Sequence, residues 1–241
     1  IHDVILRNSP NFHVRLGDVK TVRIHHVNIR VNTTAQLNLL TSLSLEGLVW
    51  MFPFNTDGID PSGRDIHIYN VTCQNWDDVI VAKPSHKNYK YSDCTEDMLV
   101  ENITVRLGVG MSIGSVPPNT EVNCVRNVLF RNVDMERPFK GIYIKTNPGD
   151  KGTGIIDNIT YTNVTMYKPI WWAVYLGPQQ QKQPGGGGPG CMIYPFDPHG
   201  TCETQPRVTI TNIRMENITI TESLLDPILI RCNSSNPCKN I

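Results

Sequence analysis

The sequence predicts an all-β chain wound as a right-handed parallel β-helix, and three observations lead there. One arrangement recurs six times: two apolar residues in alternation, a one-residue break usually filled by asparagine, then two more. Period-two alternation marks short strands with one buried face. The copies keep the same residue type at the same phase, which stacked coils require and a β-sandwich does not. No segment carries helical periodicity over several turns.

The first copy is Val22, Ile24, Val27 and Ile29, and the second Ile66, Ile68, Asn70, Val71 and Cys73. Met98, Val100, Asn102, Ile103 and Val105 form the third, and Val128, Phe130, Asn132, Val133 and Met135 the fourth. Ile159, Tyr161, Asn163, Val164 and Met166 precede the last, Ile213, Met215, Asn217, Ile218 and Ile220. The copies start at 22, 66, 98, 128, 159 and 213, so gaps of 30 to 32 fit one coil and those of 44 and 54 fit two. Further strands follow at 78–81, 110–113, 141–145 and 172–175, with 54–60 supplying the same strand one coil earlier. A Gly/Pro-rich excursion occupies 178–206. One domain, 1–241, is expected. The apolar alternation already under way at Val4 and Leu6, and the lack of an evident cap, read as truncation at one or both ends.

Lys+Arg 22 against Asp+Glu 22 leaves no net charge, so neither nucleic acid nor an anionic membrane is an expected partner. No apolar run is long enough to span a bilayer. Of the seven cysteines, Cys191/Cys202 and Cys232/Cys238 are close pairs in Gly/Pro/Asn-rich loops. They predict two disulfides and a secreted protein, at a cell wall or surface. Cys73, Cys94 and Cys124 leave one thiol unpaired if a third bridge forms. No His/Cys spacing fits zinc, and no metal or other cofactor is expected.

Seven Asn-x-Ser/Thr sites occur. Asn70, Asn102, Asn163 and Asn217 fill the break of the repeat, where asparagine tolerates left-handed backbone, and are expected to form an internal amide ladder without sugar. Asn32, Asn158 and Asn233 are the glycosylation candidates.

Asp57 precedes Asp77 and Asp78 by 20 and 21 residues, about one short coil, so stacking brings three carboxylates to one face. The Trp76-Asp77-Asp78 corner is expected to turn both acids outward. An isolated Asp-Asp is ordinarily a solvated turn; a third aspartate one coil away alters that. Crowded carboxylates raise one another's proton affinity, which makes one an acid and another a base near neutral pH. An acid and a base separated by a water suit inverting glycoside hydrolysis.

Asn55-Thr56-Asp57-Gly58-Ile59-Asp60-Pro61, followed by Asp77-Asp78-Val79-Ile80-Val81-Ala82-Lys83, resembles the signature of glycoside hydrolase family 28, the polygalacturonases. Asn8-Ser9-Pro10-Asn11-Phe12-His13 is similar to an upstream segment of that family. Residues 108–115 and 141–146 match two later motifs in part. The resemblance implies a pectin-lyase-like solenoid that hydrolyses α-1,4-galacturonan in pectin with inversion and no metal. By the same resemblance Asp78 is the general acid, and Asp57 and Asp77 position and deprotonate water. Two departures stand out: Val109 where the family has histidine, and Tyr143 where it has arginine, the partner of a lysine kept as Lys145. Valine has no polar atom, and tyrosine offers one neutral hydroxyl in place of a bidentate cation. His67 and His86 could supply the imidazole, though each reads first as an ordinary strand or loop residue.

Trp171 and Trp172 lie two coils beyond Asp78, and alternation sends one inward and one outward. Lys145, Tyr143, Asn55, Lys83 and Trp172 make up the expected substrate-binding set. The resemblance implies a pectic or related polysaccharide as partner, and the chain is expected to be a monomer with end-to-end assembly open to it. The alternative class is a non-catalytic structural or glycan-binding β-helix of a wall, sheath or filament, on the strength of Val109, Tyr143 and the uncapped ends. A polysaccharide lyase shares the fold, but only Lys145 suggests its chemistry.

Overall fold

The computed structural model describes residues 1–41, 55–86, 88–91, 93–117, 122–147, 152–179 and 202–241. In chain order these form β1 (His2–Arg7), β2 (Val14–Arg30), α1 (Thr33–Thr41), β3 (Ile59–Gln74), β4 (Asp78–Ala82), β5 (Thr95–Arg106) and β6 (Val109–Val116). Then come β7 (Val122–Glu136), β8 (Lys140–Thr146), β9 (Thr153–Tyr167), β10 (Val174–Pro178), β11 (Val208–Thr221) and β12 (Ile228–Ile230). Every named strand pairing is parallel, and the fold is the right-handed β-helix the repeat predicts. One column stacks β2, β3, β5, β7, β9 and β11; the other stacks the start of β3 on β4, β6, β8, β10 and β12.

The break in the repeat is a corner. Asn70, Asn102, Asn132, Asn163 and Asn217 have φ of 50–56°, left-handed backbone that asparagine adopts more readily than most residues. Asp65, Asp97, Asn127, Asn158 and Asn212 turn a second corner at φ of 53–56°. The apolar residues between corners point inward: Ile24, Ile68, Val100, Phe130 and Tyr161 are fully buried one above the next, with the last two rings stacked at 4.8 Å. Amide bonds climb the first corner from Asn70 through Asn102, Asn132 and Asn163 to Asn217 at 3.0–3.3 Å. This ladder runs along the exposed outer face, not the interior, because the corner side chains point away from the core.

Two further differences concern the long gaps. The gaps of 44 and 54 residues hold one coil each: Val22 pairs directly with Ile66, and Ile159 with Ile213. The surplus in the first gap includes α1, whose sequence shows no helical period. Asn32 caps it by accepting the Ala35 N–H at 3.1 Å, and Gln36 accepts the Trp76 indole N–H at 2.6 Å. The excursion in the second gap falls mostly outside the described residues.

The cysteines extend the expected pairing. Cys232–Cys238 is bridged as expected, and Cys94–Cys124 adds a bridge that loop proximity did not assign, leaving Cys73 as a buried free thiol. Cys94 and Cys124 flank adjacent coils, where stacking brings their Cα atoms to 4.6 Å across 30 residues of sequence. The expected Cys191–Cys202 bridge is not among those joining described residues, because Cys191 lies outside them. Cys202 itself is disulfide-bonded and buried.

Candidate active site

Where β3 meets β4, Ile59 pairs with Ile80 and the Gly58 N–H donates to the Asp78 carbonyl at 2.8 Å, which sets Asp57 beside the Asp77–Asp78 corner. Gly58 has no room for a side chain: a Cβ there would lie 2.3 Å from the Val79 carbonyl oxygen. Asp77 sits in the bend before β4 and Asp78 is its first residue, which lets neighbouring acids face the same way. One oxygen from each of Asp57, Asp77 and Asp78 lies within 4.8 Å of the others, and all three acids are 1–3% exposed. Asp57 and Asp78 line a cleft of about 760 Å³ whose walls also include Asp60, Lys83, Tyr89 and Arg15; Asp77 is not among the walls, so of the two acids expected to turn outward only Asp78 reaches it.

The acids have different surroundings. Asp78 accepts from Ser112 Oγ at 2.6 Å and from Lys145 Nζ at 2.5 Å, the ammonium being equally buried. Burial alone would raise its proton affinity, but Lys145, Lys83 and these hydrogen bonds outweigh it and hold Asp78 below the usual carboxylate range. Asp57 is pushed up to about 9, by burial first and then by Asp77, Asp60 and Asp78, against a weaker pull from Lys83 at 3.7 Å. Asp77 is raised by burial and the charge of Asp78, although it accepts backbone N–H groups of Asn55 and Asp78 at 2.8 and 2.9 Å. Asp60, 3.3 Å from Lys83, rises to about 6, burial outweighing that partner. These surroundings favour the protonated form at Asp57, raise the proton affinity of Asp77 and favour the negative charge on Asp78.

This order sets the pH dependence of stability. Asp57 and Asp60 titrate above their ordinary value, so their contribution is fully present below about pH 4 and is lost as pH rises through 6 towards 9. Asp78 acts oppositely, its contribution being lost only as pH falls below the ordinary carboxylate range. The unfolding midpoint is therefore expected to peak in mild acid and to fall by ~5 °C or more between pH 5 and pH 8. A midpoint that climbs over that interval would contradict the assignment.

The expected substrate-binding residues divide. Asn55 and Lys83 line the cleft. Lys145 is 2% exposed and serves Asp78, so its ammonium is not presented to solvent. Tyr143 and Trp172, 2% and 3% exposed, pack with Val109 and Tyr175 in a separate apolar cluster and do not line the cleft. Val109 and Tyr143, the two departures from the resemblance, are thus joined in one packed group. His86 lines the cleft, whereas His67 lies on the outer face against Glu101 at 2.7 Å.

Several supports had no signal in the motifs alone. The buried Asn75 amide donates to the carbonyls of Thr56 and Asp78, both at 3.0 Å, and Thr56 Oγ1 accepts the Trp76 N–H at 3.0 Å. Ser112 was readable in principle, since it pairs with Val81 across adjacent strands. The three acids are also the one group among the described residues able to offer a metal ion three oxygens. Lys145 and Lys83 already bring two positive charges against them.

A parallel β-helix with clustered buried carboxylates of opposed proton affinity along a lateral cleft has the frame of a glycoside hydrolase. The chain belongs to the glycosyl hydrolases family 28, whose family model matches residues 1–175. A polygalacturonase of Gossypium barbadense is 23% identical over 244 residues, covering 100% of this chain and 49% of that protein. A probable exopolygalacturonase C of Aspergillus fumigatus is 28% identical over 211 residues, 78% of this chain and 44% of the other. The chain spans about half the length of these relatives. Endo-xylogalacturonan hydrolase from Aspergillus tubingensis shares the fold at TM-score 0.60 and 18% identity, over 97% of this chain and 63% of that structure.

Proposed function

We propose that this chain carries the catalytic centre of a secreted hydrolase that cleaves α-1,4-galacturonan or a related pectic polymer with inversion. The observation that supports it most is geometric: Asp57, Asp77 and Asp78 bring one oxygen each within 4.8 Å of the others, and Asp78 alone accepts from both Lys145 Nζ and Ser112 Oγ. It also revises the roles implied by the family resemblance, in which Asp78 is the acid. Here the Asp57–Asp77 pair donates its proton to the glycosidic oxygen as the bond to C1 breaks. Water adds to C1 from the opposite face and gives its proton to Asp78. Lys145 and Ser112 hold Asp78 in place and favour its ionised form, and Lys83 draws the proton affinities of Asp57 and Asp60 down against burial.

The closest oxygens, within 4.8 Å, sit nearer than the ~6.5–9.5 Å between carboxyls of many inverting enzymes, so inversion is proposed on family grounds. The test is incubation with polygalacturonate, scored for new reducing ends and followed by NMR for the first anomer released. New ends with β-anomer first support the reading, and α-anomer first overturns inversion. No new ends from any pectic polymer would favour the second reading, a glycan-binding β-helix without hydrolysis, which the packed Val109–Tyr143–Trp172–Tyr175 group suggests.

Secretion is proposed from the Cys94–Cys124 and Cys232–Cys238 bridges and the bonded state of Cys202. Among the sugar candidates, Asn32 is exposed, while Asn158 donates its amide to Asn127 at 2.9 Å and Asn233 to Thr204 at 2.9 Å. Asn32 is therefore the preferred glycan site.

A further inference from the structure

The cleft extends to the N-terminal side of the acids, and there it carries a positive charge that the carboxylate cluster does not use. Arg15 in β2 pairs with Asp60 across adjacent coils, lines the cleft and is exposed. Among the described residues its guanidinium is matched by no carboxylate; it lies over the Phe12 ring, 5.6 Å from the centroid. The neighbouring cations are engaged, Lys83 with Asp57 and Asp60, Lys145 with Asp78.

The backbone ties Arg15 to the reacting groups. The Phe12 N–H donates to the Asn55 carbonyl and the His13 N–H to the Asp57 carbonyl, each at 2.8 Å. His13 Nδ1 meets that same Asp57 oxygen at 2.9 Å. Tyr89, also in the lining, is equally fixed. Tyr89 shares a hydrogen bond with Ser62 at 2.9 Å, and the N–H groups of Lys90 and Tyr91 donate to Asp18 at 2.6 and 2.9 Å. A cation and a held aromatic ring lining the same cleft, one coil from the acids, have the makings of a subsite for a charged sugar.

We infer that this half of the cleft is an acidic-sugar subsite in which Arg15 takes the carboxylate of a uronate residue and Tyr89 supports its ring. The inference rests on the hydrolase reading above. It places charge recognition on the N-terminal side of the acids, away from Tyr143. A planar fork matches a carboxylate through two parallel hydrogen bonds and discriminates it from a methyl ester, which bears no charge.

The test measures binding of a galacturonate tetramer and of its fully methyl-esterified form to the full chain and to Arg15→Gln. The parent should prefer the acid by about tenfold or more, and Arg15→Gln should erase that preference by weakening only the acid. Arg15→Lys should recover part of it. Arg15 is exposed, so the variants should unfold at the parent's temperature. A preference that persists in Arg15→Gln overturns the assignment of Arg15 while leaving the hydrolase reading intact. A parent that binds neither tetramer overturns both.

Discussion

Asp78→Asn is expected to lower the release of reducing ends from polygalacturonate by about 10³-fold or more and to lower the unfolding midpoint by ~10 °C. The two losses have one origin. Asp78 is the anion at which the proposed reaction deposits the proton of water, and asparagine cannot accept it at neutral pH. The same anion neutralises Lys145, whose ammonium sits 2.5 Å away and is 2% exposed. Removing one partner of a buried pair leaves the other charge unmatched, at a cost of about 3–5 kcal/mol. Asp77 stands close enough to take over part of the pairing by ionising, which places the loss at the low end of that range and also removes the proton the acid needs. A second change separates the effects: Asp78→Asn with Lys145→Met should regain most of the stability and none of the activity. If Asp78→Asn retains the parent's rate in a folded protein, cleavage does not occur at this site.

What was legible in the sequence is what depends on periodicity. The coils, their corners and the meeting of Asp57 with Asp77 and Asp78 all follow from alternation plus a break, because identical phase forces vertical stacking. Coil length was not legible across insertions. Nothing in a gap of 44 residues distinguishes two coils from one coil bearing α1, since a nine-residue helix held by an Asn32 cap and a Trp76 hydrogen bond needs no amphipathic stripe. Inside and outside at the corners were likewise ambiguous. Asn70 and its successors stack whichever way they point, and only the backbone shows them facing solvent. The division of labour among the acids lay furthest from the motifs. It depends on Lys145, 67 residues beyond Asp78 and two strands across the sheet, turning its ammonium onto Asp78 and not into the open cleft.

Tyr143→Arg, which introduces the residue that the motif resemblance leads one to expect, is expected to destabilise the chain by about 3–5 kcal/mol and to add no affinity for polygalacturonate. The Tyr143 ring already receives two ammonium groups, Lys140 Nζ at 4.7 Å and Lys145 Nζ at 4.8 Å from its centroid. Its π face attracts each of them, typically by ~0.5–2 kcal/mol. A guanidinium there replaces that attraction with repulsion from both and must be desolvated among Val109, Trp172 and Tyr175. The adjacent anion, Asp78, is already committed to Lys145. Thermal unfolding should show a midpoint ~10 °C lower, whereas Val109→His, which can enter as a neutral imidazole, should cost much less. A Tyr143→Arg chain as stable as its parent, with tighter binding of polygalacturonate, would mean that the aromatic cluster opens to admit a cation. In that case Tyr143 would be an ordinary replacement for arginine in a subsite of the family's usual kind, and the ring would have no part in holding Lys145 against Asp78.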